Sequence, residues 1–597
     1  MHRLKAVRAR AATAHLAATL ACIVLLASNF SPAAADTAAN RTESDPNASF
    51  HKQTADFIEA EMRLYPEHAT ALGDHRFDDR IDDLSAAGAA DVISHAHHWI
   101  KIFGADDPRA LIANDEADRE WLLAHLDGEL LRTQQIRTYE RDPGSYLPTS
   151  AINSLIKRDF APLLVRMHSV AAREIAALKN LAAARINLKA ARTPKVAIEI
   201  TLQQMPATIG FFRNDVPLAF AKAPDSDEKA SFLRANANLI IAIEDYSRWL
   251  KNDLMPHATG NYAIGADAYR RMLEDGDMVD LPLEQLEAVG VKELARLQDE
   301  FKTTAAAIDP NRTPADVIKT LSQDHPDSEG VLPEVASGLS DLRNYVIAHR
   351  LATIPSDVLP MVRETPPYMR ATTFASMDTP GPFEKTTEAF FYVTLPEPSW
   401  SEEKKAQLLA FYAPPTISDT SVHEVYPGHY VQFLNNRLLP DQVRQIYHSG
   451  ADSEGWALYC EQMMLDEGLH QGDPKYRLAQ LQMALMRACR YLAGIRMHTQ
   501  GMTVDEAAKF FELNAYQTPH NAMVEALRGT DDPGYLRYQL GKLMILKLRE
   551  DVRRQQGAAF DLGKFHDDFL KQGAMPIKLI RRAMLGSDGP LLQESPR

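Results

Sequence analysis

Helical periodicity, repeated along almost the whole chain, is the feature that most restricts its fold. Apolar residues recur at intervals of three and four positions in Ala55–Met62 and again in Arg119–Leu131. Long stretches rich in alanine, leucine and arginine follow at 164–193, 229–250 and 282–307. Such spacing places the apolar side chains on one helix face, which must pack against other helices. The sequence therefore predicts a large, mostly α-helical protein.

One region departs from this pattern, at about residues 355–396. Val358–Glu364 and Glu388–Leu395 are rich in β-branched and aromatic residues and are bounded by prolines, which predicts short strands of one small β-sheet. Proline-rich turns near residue 310 separate the flanking helices. We predict a helical N-terminal lobe over 50–307 and a second, catalytic helical lobe over 308–597 that carries the sheet.

The first 35 residues have the three parts of a secretory signal peptide. Basic residues within Arg3–Arg10 precede an apolar run over Ala11–Ala27, and small residues at 32–35 form a cleavage site. We expect removal of residues 1–35, a flexible segment over 36–49, and a mature protein that is exported to the periplasm or secreted. The run is short for a membrane span, so a retained anchor is the less favoured interpretation.

A lipoprotein attached through Cys22 is a third interpretation of the leader. It is disfavoured because Thr19 stands where an aliphatic residue belongs and because the apolar run continues past the cysteine. Removal of the leader leaves two cysteines, Cys460 and Cys489, and the sequence leaves open whether they form a disulfide.

Charge and hydropathy exclude several classes of partner. The chain has 80 acidic and 65 basic side chains, a net charge of −15. Binding of nucleic acid needs a basic face, so we expect no nucleic-acid partner. No stretch after the leader approaches the ~20 consecutive apolar residues that a membrane span requires. The sequence does not predict the oligomeric state.

Residues that carry chemistry are concentrated in Ser421–Gln432. His423 and Glu424 are followed by a second histidine, His429. In zinc hydrolases two imidazoles hold the metal, and a glutamate beside the first histidine acts as general base. A spacing of six on a regular helix would place the rings about 9 Å apart along the axis, too far for one ion.

Pro427 and Gly428 lie between the two histidines and offer a remedy for this spacing. Proline cannot donate the helical hydrogen bond, and glycine permits backbone angles that other residues resist. We expect the two residues to bulge the helix, so that His429 returns beside His423.

A catalytic zinc site takes three protein ligands and leaves a fourth position for water. Glu454 is the best candidate for the third ligand, because the intervening chain is long enough to turn and send a second helix back alongside. Glu461, seven residues on, shares a helix face with Glu454 and is either a supporting partner or an alternative ligand. We predict one Zn²⁺ per chain; iron or manganese is less favoured.

Three segments together resemble a known bacterial family, the domain of unknown function 885. They are HEVYPGHYVQ at 423–432, EGWALY at 454–459 and YLRYQLGKL at 535–543. The resemblance extends from about residue 50 onward. It implies a mostly helical, two-lobed fold around a central cleft, similar to that of zinc metallopeptidases. It also implies His423, His429 and Glu454 as metal ligands and Glu424 as base.

The resemblance also implies donors for the oxyanion that forms when a peptide carbonyl is attacked. Tyr538 is the first candidate, and Tyr535 is its alternative. His498 matches a family position and is a second possible donor. The acidic residue expected four positions earlier is Gly494 here, which departs from the family pattern.

Substrate contacts are expected at two further places. In helical metallopeptidases of this type an edge strand near the metal pairs with the substrate, which implies Tyr392 and Val393 in the predicted strand Phe390–Leu395. Arginines near the motifs, of which we single out Arg528 and Arg537, would bind a terminal carboxylate.

These features together predict a zinc-dependent peptidase, an oligopeptidase or a carboxypeptidase, that acts on short peptides in the cell envelope. Two alternatives stay open. One is an exported helical binding protein with a vestigial metal site, and the other is a metal-dependent hydrolase of a non-peptide amide or ester.

Overall fold

Helices make up most of the computed structural model, which describes residues 45–370, 373–398 and 400–593. Before the sheet the chain forms thirteen α-helices within the described residues: α1 Pro46–Leu64, α2 Pro66–Leu72, α3 Ala86–Ala105, α4 Ala113–Leu130, α5 Thr149–Ile156, α6 Leu163–Asn187, α7 Lys195–Gly210, α8 Val216–Ala219, α9 Asp227–Trp249, α10 Ala266–Asp277, α11 Leu283–Ile308, α12 Pro314–Leu321 and α13 Val331–Ala348.

After the sheet the chain is again helical. The helices of this part are α14 Glu402–Leu409, α15 Pro414–Glu424, α16 His429–Arg437, α17 Gln442–Ile446, α18 Gly450–Asp466, α19 Pro474–Thr499, α20 Val504–Ala515, α21 Pro519–Asp531, α22 Arg537–Gln556, α23 Leu562–Leu570 and α24 Ile577–Leu585. The predicted mostly α-helical fold is thereby confirmed.

Local sequence chemistry accounts for where many of these helices begin. Thr503 and Glu506 form a reciprocal capping box at the start of α20. Proline occupies one of the first two positions of α12, α15 and α21, where its missing N–H costs no helical hydrogen bond.

The predicted small sheet is present, with three strands. They are β1 Met361–Glu364, β2 Ala375–Asp378 and β3 Phe390–Val393, in the order β1-β3-β2. β3 pairs in parallel with β1 and antiparallel with β2. β3 is therefore the central strand, and the expectation that it offers Tyr392 and Val393 at a free edge is wrong, because β2, which the sequence did not predict, occupies that edge.

Two apolar cores hold the helices together. The smaller core lies within residues 146–254, whereas the larger combines residues 50–126 with residues 269–592. Phe57 of α1, for example, stacks on Tyr447 at 6.1 Å between ring centroids. The division into lobes at 50–307 and 308–597 stays a prediction. The two apolar cores divide the chain differently, because the first helices pack with the C-terminal helices.

Several predictions concern the N-terminus, the cysteines and membrane spanning. The predicted signal peptide, residues 1–35, lies outside the described residues, as does the segment 36–44. Helix α1 begins at Pro46, inside the segment predicted to be flexible.

Cys460 and Cys489 are both buried and unpaired. Among the described helices, none is both long enough and apolar enough to cross a membrane.

Candidate metal centre

The motif that carries the two histidines lies where one helix stops and another starts. α15 ends at Glu424, and α16 begins at His429. The residues between leave the helical path and fold back, so that the Gly428 N–H donates to the Val422 carbonyl at 3.0 Å. The predicted bulge within one helix is thus a complete break between two helices.

Glycine is required at this break because two backbone segments touch there. A Cβ atom on Gly428 would lie 1.8 Å from the His423 carbonyl oxygen and 2.5 Å from that of Val422. No side chain fits into that gap. The indole of Trp456 in α18 donates to the Pro427 carbonyl at 3.0 Å and fixes the break against the neighbouring helix.

The break brings the two imidazoles together. The ring centroids of His423 and His429 lie 4.9 Å apart, with the ring planes nearly perpendicular at 88°. Both residues are buried, with 5% and 9% of their surfaces exposed. The structure therefore confirms the prediction that His429 lies beside His423.

Glu454 of α18 faces both rings. Its Oε2 atom lies 3.6 Å from Nε2 of His423 and 3.5 Å from Nε2 of His429. One ligand atom from each of the three residues lies within 4.8 Å of the others, and no other group of three His, Cys, Asp or Glu side chains in the described part of the chain meets this criterion. The structure thus brings together the three residues predicted as ligands.

The arrangement fits a small divalent cation. Ligands that surround zinc tetrahedrally at 2.0–2.1 Å lie about 3.4 Å from one another, close to the two separations that Glu454 makes. Oε2 of Glu454 is buried and accepts no hydrogen bond in the described structure. Burial raises the pKa of Glu454, but the two facing imidazoles outweigh this effect and hold the pKa well below its usual range.

A second layer of charged groups surrounds the ligands. Glu461 is completely buried, and its carboxylate forms a hydrogen bond with Nδ1 of His423 at 2.8 Å. This bond leaves Nε2 of the same ring turned toward Glu454. The guanidinium of Arg487 lies 3.6 Å from Glu461. Burial raises the pKa of Glu461, but the charge of Arg487 and the bond with His423 lower it overall. Glu461 is thus a supporting partner of the site.

Sequence reasoning missed two buried members of this layer. Burial and the neighbouring Glu461 carboxylate raise the pKa of Asp419 well above its usual range. Lys542 is fully buried, and its amine, whose pKa burial lowers, has no hydrogen-bond partner in the described structure. The sequence spacing could have indicated both residues. Asp419 precedes His423 by four positions and Lys542 follows Tyr538 by four, so each shares a helix face with a site residue.

A close crossing of α18 and α22 places Tyr538 beside the ligands. The two helices touch through Gly455 and Gly541, and a Cβ atom on Gly541 would lie 1.7 Å from the Ala451 carbonyl oxygen. The Tyr538 ring stacks on that of His423, with 6.3 Å between centroids and 17° between planes. Burial and the negative charge of Glu454 raise the pKa of Tyr538 to about 12, so the hydroxyl keeps its proton.

Glu424, the predicted base, is the last residue of α15 and is buried, with 9% of its surface exposed. It does not belong to the group of three converging ligand atoms. Glu424 therefore lies outside the candidate ligand group.

The predicted substrate-binding arginines differ in their surroundings. Arg528 donates to the Tyr538 hydroxyl at 3.0 Å and to the Asp532 carboxylate at 3.5 Å. Arg537, by contrast, donates to Asp277 at 2.6 Å. Asp277 in turn accepts from the backbone N–H of Ala451 at the start of α18. Arg537 therefore stabilises the start of α18 through Asp277 and does not contact the candidate ligands in the described structure.

The structure also separates two predicted donors from the ligand group. Nε2 of His498 lies 2.7 Å from the Gly529 carbonyl, and its ring contacts are with Tyr262 and Tyr269. Burial lowers the pKa of His498 to about 4, so the ring is neutral. The hydroxyl of Tyr535 points at the sulfur of Met497, 3.8 Å away. Among the described contacts of both residues, none involves a candidate ligand.

Two of the comparisons with known proteins found similar sequences or structures. A family model described as "Bacterial protein of unknown function (DUF885)" matches residues 66–584. A putative lipoprotein of unknown function from Shewanella oneidensis has a similar solved structure, with a TM-score of 0.75 and 26% identity, covering 90% of this chain and 99% of that one.

A putative lipoprotein from Colwellia psychrerythraea has the same fold, with a TM-score of 0.75 at 17% identity, again covering 90% of this chain and 99% of that one. No curated protein matches the chain significantly. Since the family model spans well over half of the sequence, the chain belongs to the bacterial family of unknown function DUF885.

Proposed function

We propose that this protein is a zinc-dependent hydrolase of peptide bonds. The observation that carries the proposal is the convergence of two imidazole nitrogens on one buried carboxylate oxygen that accepts no hydrogen bond, at Glu454. Two buried histidines and one glutamate with a buried oxygen form the donor set of a catalytic zinc site, and a second carboxylate orients the first histidine.

His423, His429 and Glu454 would hold the ion. A bound Zn²⁺ would supply Lewis acidity, which lowers the pKa of a water molecule and polarises the scissile carbonyl. Glu424 takes the proton of the attacking water and transfers it to the leaving amine. Its burial at the end of α15, adjacent in sequence to His423 yet outside the ligand group, suits that role.

Tyr538 serves as the donor to the developing oxyanion. Its hydroxyl keeps its proton, because the pKa is about 12, and it accepts a hydrogen bond from Arg528, which strengthens it as a donor. Its ring stacks on that of His423, one of the candidate ligands, which supports this role.

The cellular location of this activity is also part of the proposal. The two similar solved proteins are both described as putative lipoproteins. Together with the secretory leader read from residues 1–35, these relatives support an exported protein that works in the cell envelope. Short peptides are the substrates that we propose for it there.

The experiment that tests the proposal combines metal analysis with a cleavage assay. We expect the mature protein to retain about one zinc per chain, and to cleave members of a peptide library in a reaction that a chelator stops and added zinc restores. Glu424→Gln should retain zinc and lose turnover by a factor on the order of 1,000 or more. Glu228→Gln, an exposed glutamate in the first turn of α9, is the matched control.

Three results would contradict the proposal. Full activity of Glu424→Gln would show that Glu424 is not the general base. Stoichiometric zinc without any cleavage would favour a binding protein, and cleavage restricted to esters or acyl amides would favour a non-peptide substrate.

A further inference from the structure

A cavity of about 560 Å³ is lined in part by residues of α16, the helix that begins at His429. Its walls come from the sheet, from α16 and from the helices that precede the sheet. The residues that matter for the argument are Met377, Thr379, Tyr392, Phe433, Asn436 and His448.

Helix α16 connects this cavity to the metal centre. His429, Phe433 and Asn436 follow one another at intervals of four and three residues, so they lie on one helix face. The ring of Phe433 stacks on that of His429, with 5.6 Å between centroids and 7° between planes. Asn436 lies seven residues from His429, which is about 10 Å along the axis. Phe433 thus contacts both His429 and the cavity.

The side-chain amide of Asn436 is buried without a hydrogen-bond partner in the described structure. Only 3% of its surface is exposed, yet neither the nitrogen nor the oxygen of its carboxamide has a partner in the described structure. The hydroxyl of Thr379, in the same lining, also lacks a partner. A buried polar atom without a partner destabilises the fold, so a ligand that pairs with these atoms would be favoured.

The charged groups of the lining, in contrast, already have partners. Lys157 lies 2.9 Å from Asp378, and Arg437 donates to backbone carbonyls of the segment 384–386. Glu67 accepts from the backbone N–H of Asp82 at 3.2 Å. The groups left free are therefore neutral and polar, beside aromatic and apolar surface.

His448 adds a second ring to the lining of the cavity. The ring of His448 stacks on Phe433, with 6.2 Å between centroids.

We propose that this cavity binds an uncharged part of an oligopeptide, with a backbone amide of the peptide paired to Asn436 and an apolar side chain against Phe433 and Tyr392. A carboxamide both donates and accepts, as a peptide bond does, so the two are complementary. The inference rests on the proposed function, because it names which peptides that site takes.

Distance along α16 sets the length of the peptide. An extended chain advances about 3.3 Å per residue, so the 10 Å between His429 and Asn436 correspond to about three residues. The preferred substrates are therefore peptides that extend three or more residues from the scissile bond on the side of the cavity. Dipeptides and tripeptides reach the metal centre without reaching Asn436.

The test compares Asn436→Ala with Asn435→Ala, a neighbouring asparagine that bonds to the Val431 carbonyl and does not line the cavity. Binding of a capped hexapeptide of alanine and leucine is measured by calorimetry in the zinc-loaded Glu424→Gln background. We expect Asn436→Ala to weaken this binding about tenfold, since two hydrogen bonds are lost. Asn435→Ala should leave it unchanged, and neither substitution should affect a capped tripeptide.

Thermal unfolding separates binding from folding. Asn436→Ala removes an unpaired buried amide, so we expect an unchanged or higher melting temperature. Equal hexapeptide binding by Asn436→Ala and the parent protein would overturn the inference, as would an equal loss for the tripeptide or no binding of either peptide.

Hydrolysis of the same peptides by the chain with intact Glu424 distinguishes the two proposals. Binding that depends on Asn436 without any hydrolysis would refute the proposed function and leave the cavity as a peptide site. Hydrolysis that is indifferent to Asn436 would support the peptidase and overturn the cavity assignment.

Discussion

Nδ1 of His423 lies 2.8 Å from the carboxylate of Glu461, and both side chains are buried. This bond fixes the ring orientation and the tautomer that turns Nε2 toward Glu454. Arg487, 3.6 Å from Glu461, provides the positive charge that favours an ionised carboxylate there. The histidine is thus held in its ligand geometry by the protein itself.

Removal of the Glu461 charge should therefore weaken metal binding. For Glu461→Gln we expect a rise in the zinc dissociation constant of roughly 10- to 100-fold, measured by chelator competition. Glu467→Gln, an exposed glutamate at the end of α18, is the matched control. Unchanged zinc affinity in Glu461→Gln would show that the bond to His423 does not orient the ligand.

Gly428 is the residue at which the helix break is least tolerant of change. A methyl group there would lie 1.8 Å from the His423 carbonyl oxygen, so the backbone of α15 or α16 must shift. For Gly428→Ala we expect a loss of unfolding free energy on the order of 3 kcal/mol or more, together with weaker zinc binding. Denaturant unfolding and chelator competition measure the two effects.

Gly104→Ala provides the comparison for this glycine. Apart from its chain neighbours and the backbone of its own helix, no atom of the described structure lies within 4 Å of the added methyl. The residue is the next to last of α3. Alanine is the better helix former, so we expect a gain of about 0.5–1 kcal/mol. A similar response of the two variants would contradict the steric argument for Gly428.

The helices could be predicted from the sequence because their periodicity is local, but the sheet could be predicted only in part. β1 and β3 contain the β-branched and aromatic residues typical of strands, whereas Ala375–Asp378 of β2 contains neither. The central position of β3 depends on pairing with a strand that has no local signal.

The candidate ligands could be predicted because their chemistry restricts the residue types and the spacing. The surroundings of the other residues could not, because they depend on contacts distant in sequence. Arg537 pairs with Asp277, 260 residues away, and His498 meets the carbonyl of Gly529. Residue type alone does not distinguish such structural partners from donors at the site.

Tyr538 and Tyr535 offer a direct test of the oxyanion donor. Tyr538→Phe should retain zinc and lower kcat by about 100-fold, since one donor to the oxyanion is removed. Tyr535→Phe should leave kcat unchanged, because that hydroxyl points at the sulfur of Met497. Measurement of zinc content and kcat in both variants decides between them, and the opposite pattern would assign the role to Tyr535.

His75 should give the folded state a dependence on alkaline pH. Its two ring nitrogens lie 3.0 Å from Asp78 and 3.2 Å from Glu384, and its ring stacks on Phe160 at 3.8 Å. Burial lowers the pKa of His75, but the bonds to the two carboxylates outweigh it and raise the pKa to about 9. A raised pKa stabilises the fold fully below the unfolded value of about 6.5, and this contribution is lost as the pH rises through about 9.

Because the ring is partly exposed, we expect His75→Gln to lower the unfolding free energy by only about 1–2 kcal/mol at pH 6. The difference between wild type and variant should shrink toward zero between pH 7 and 10, since the wild-type ring then loses its proton and its advantage. Urea unfolding at a series of pH values measures this difference, with His520→Gln as an exposed control that should show none. A difference that stays constant across the range would mean that His75 stabilises the fold through packing on Phe160 and not through its charge.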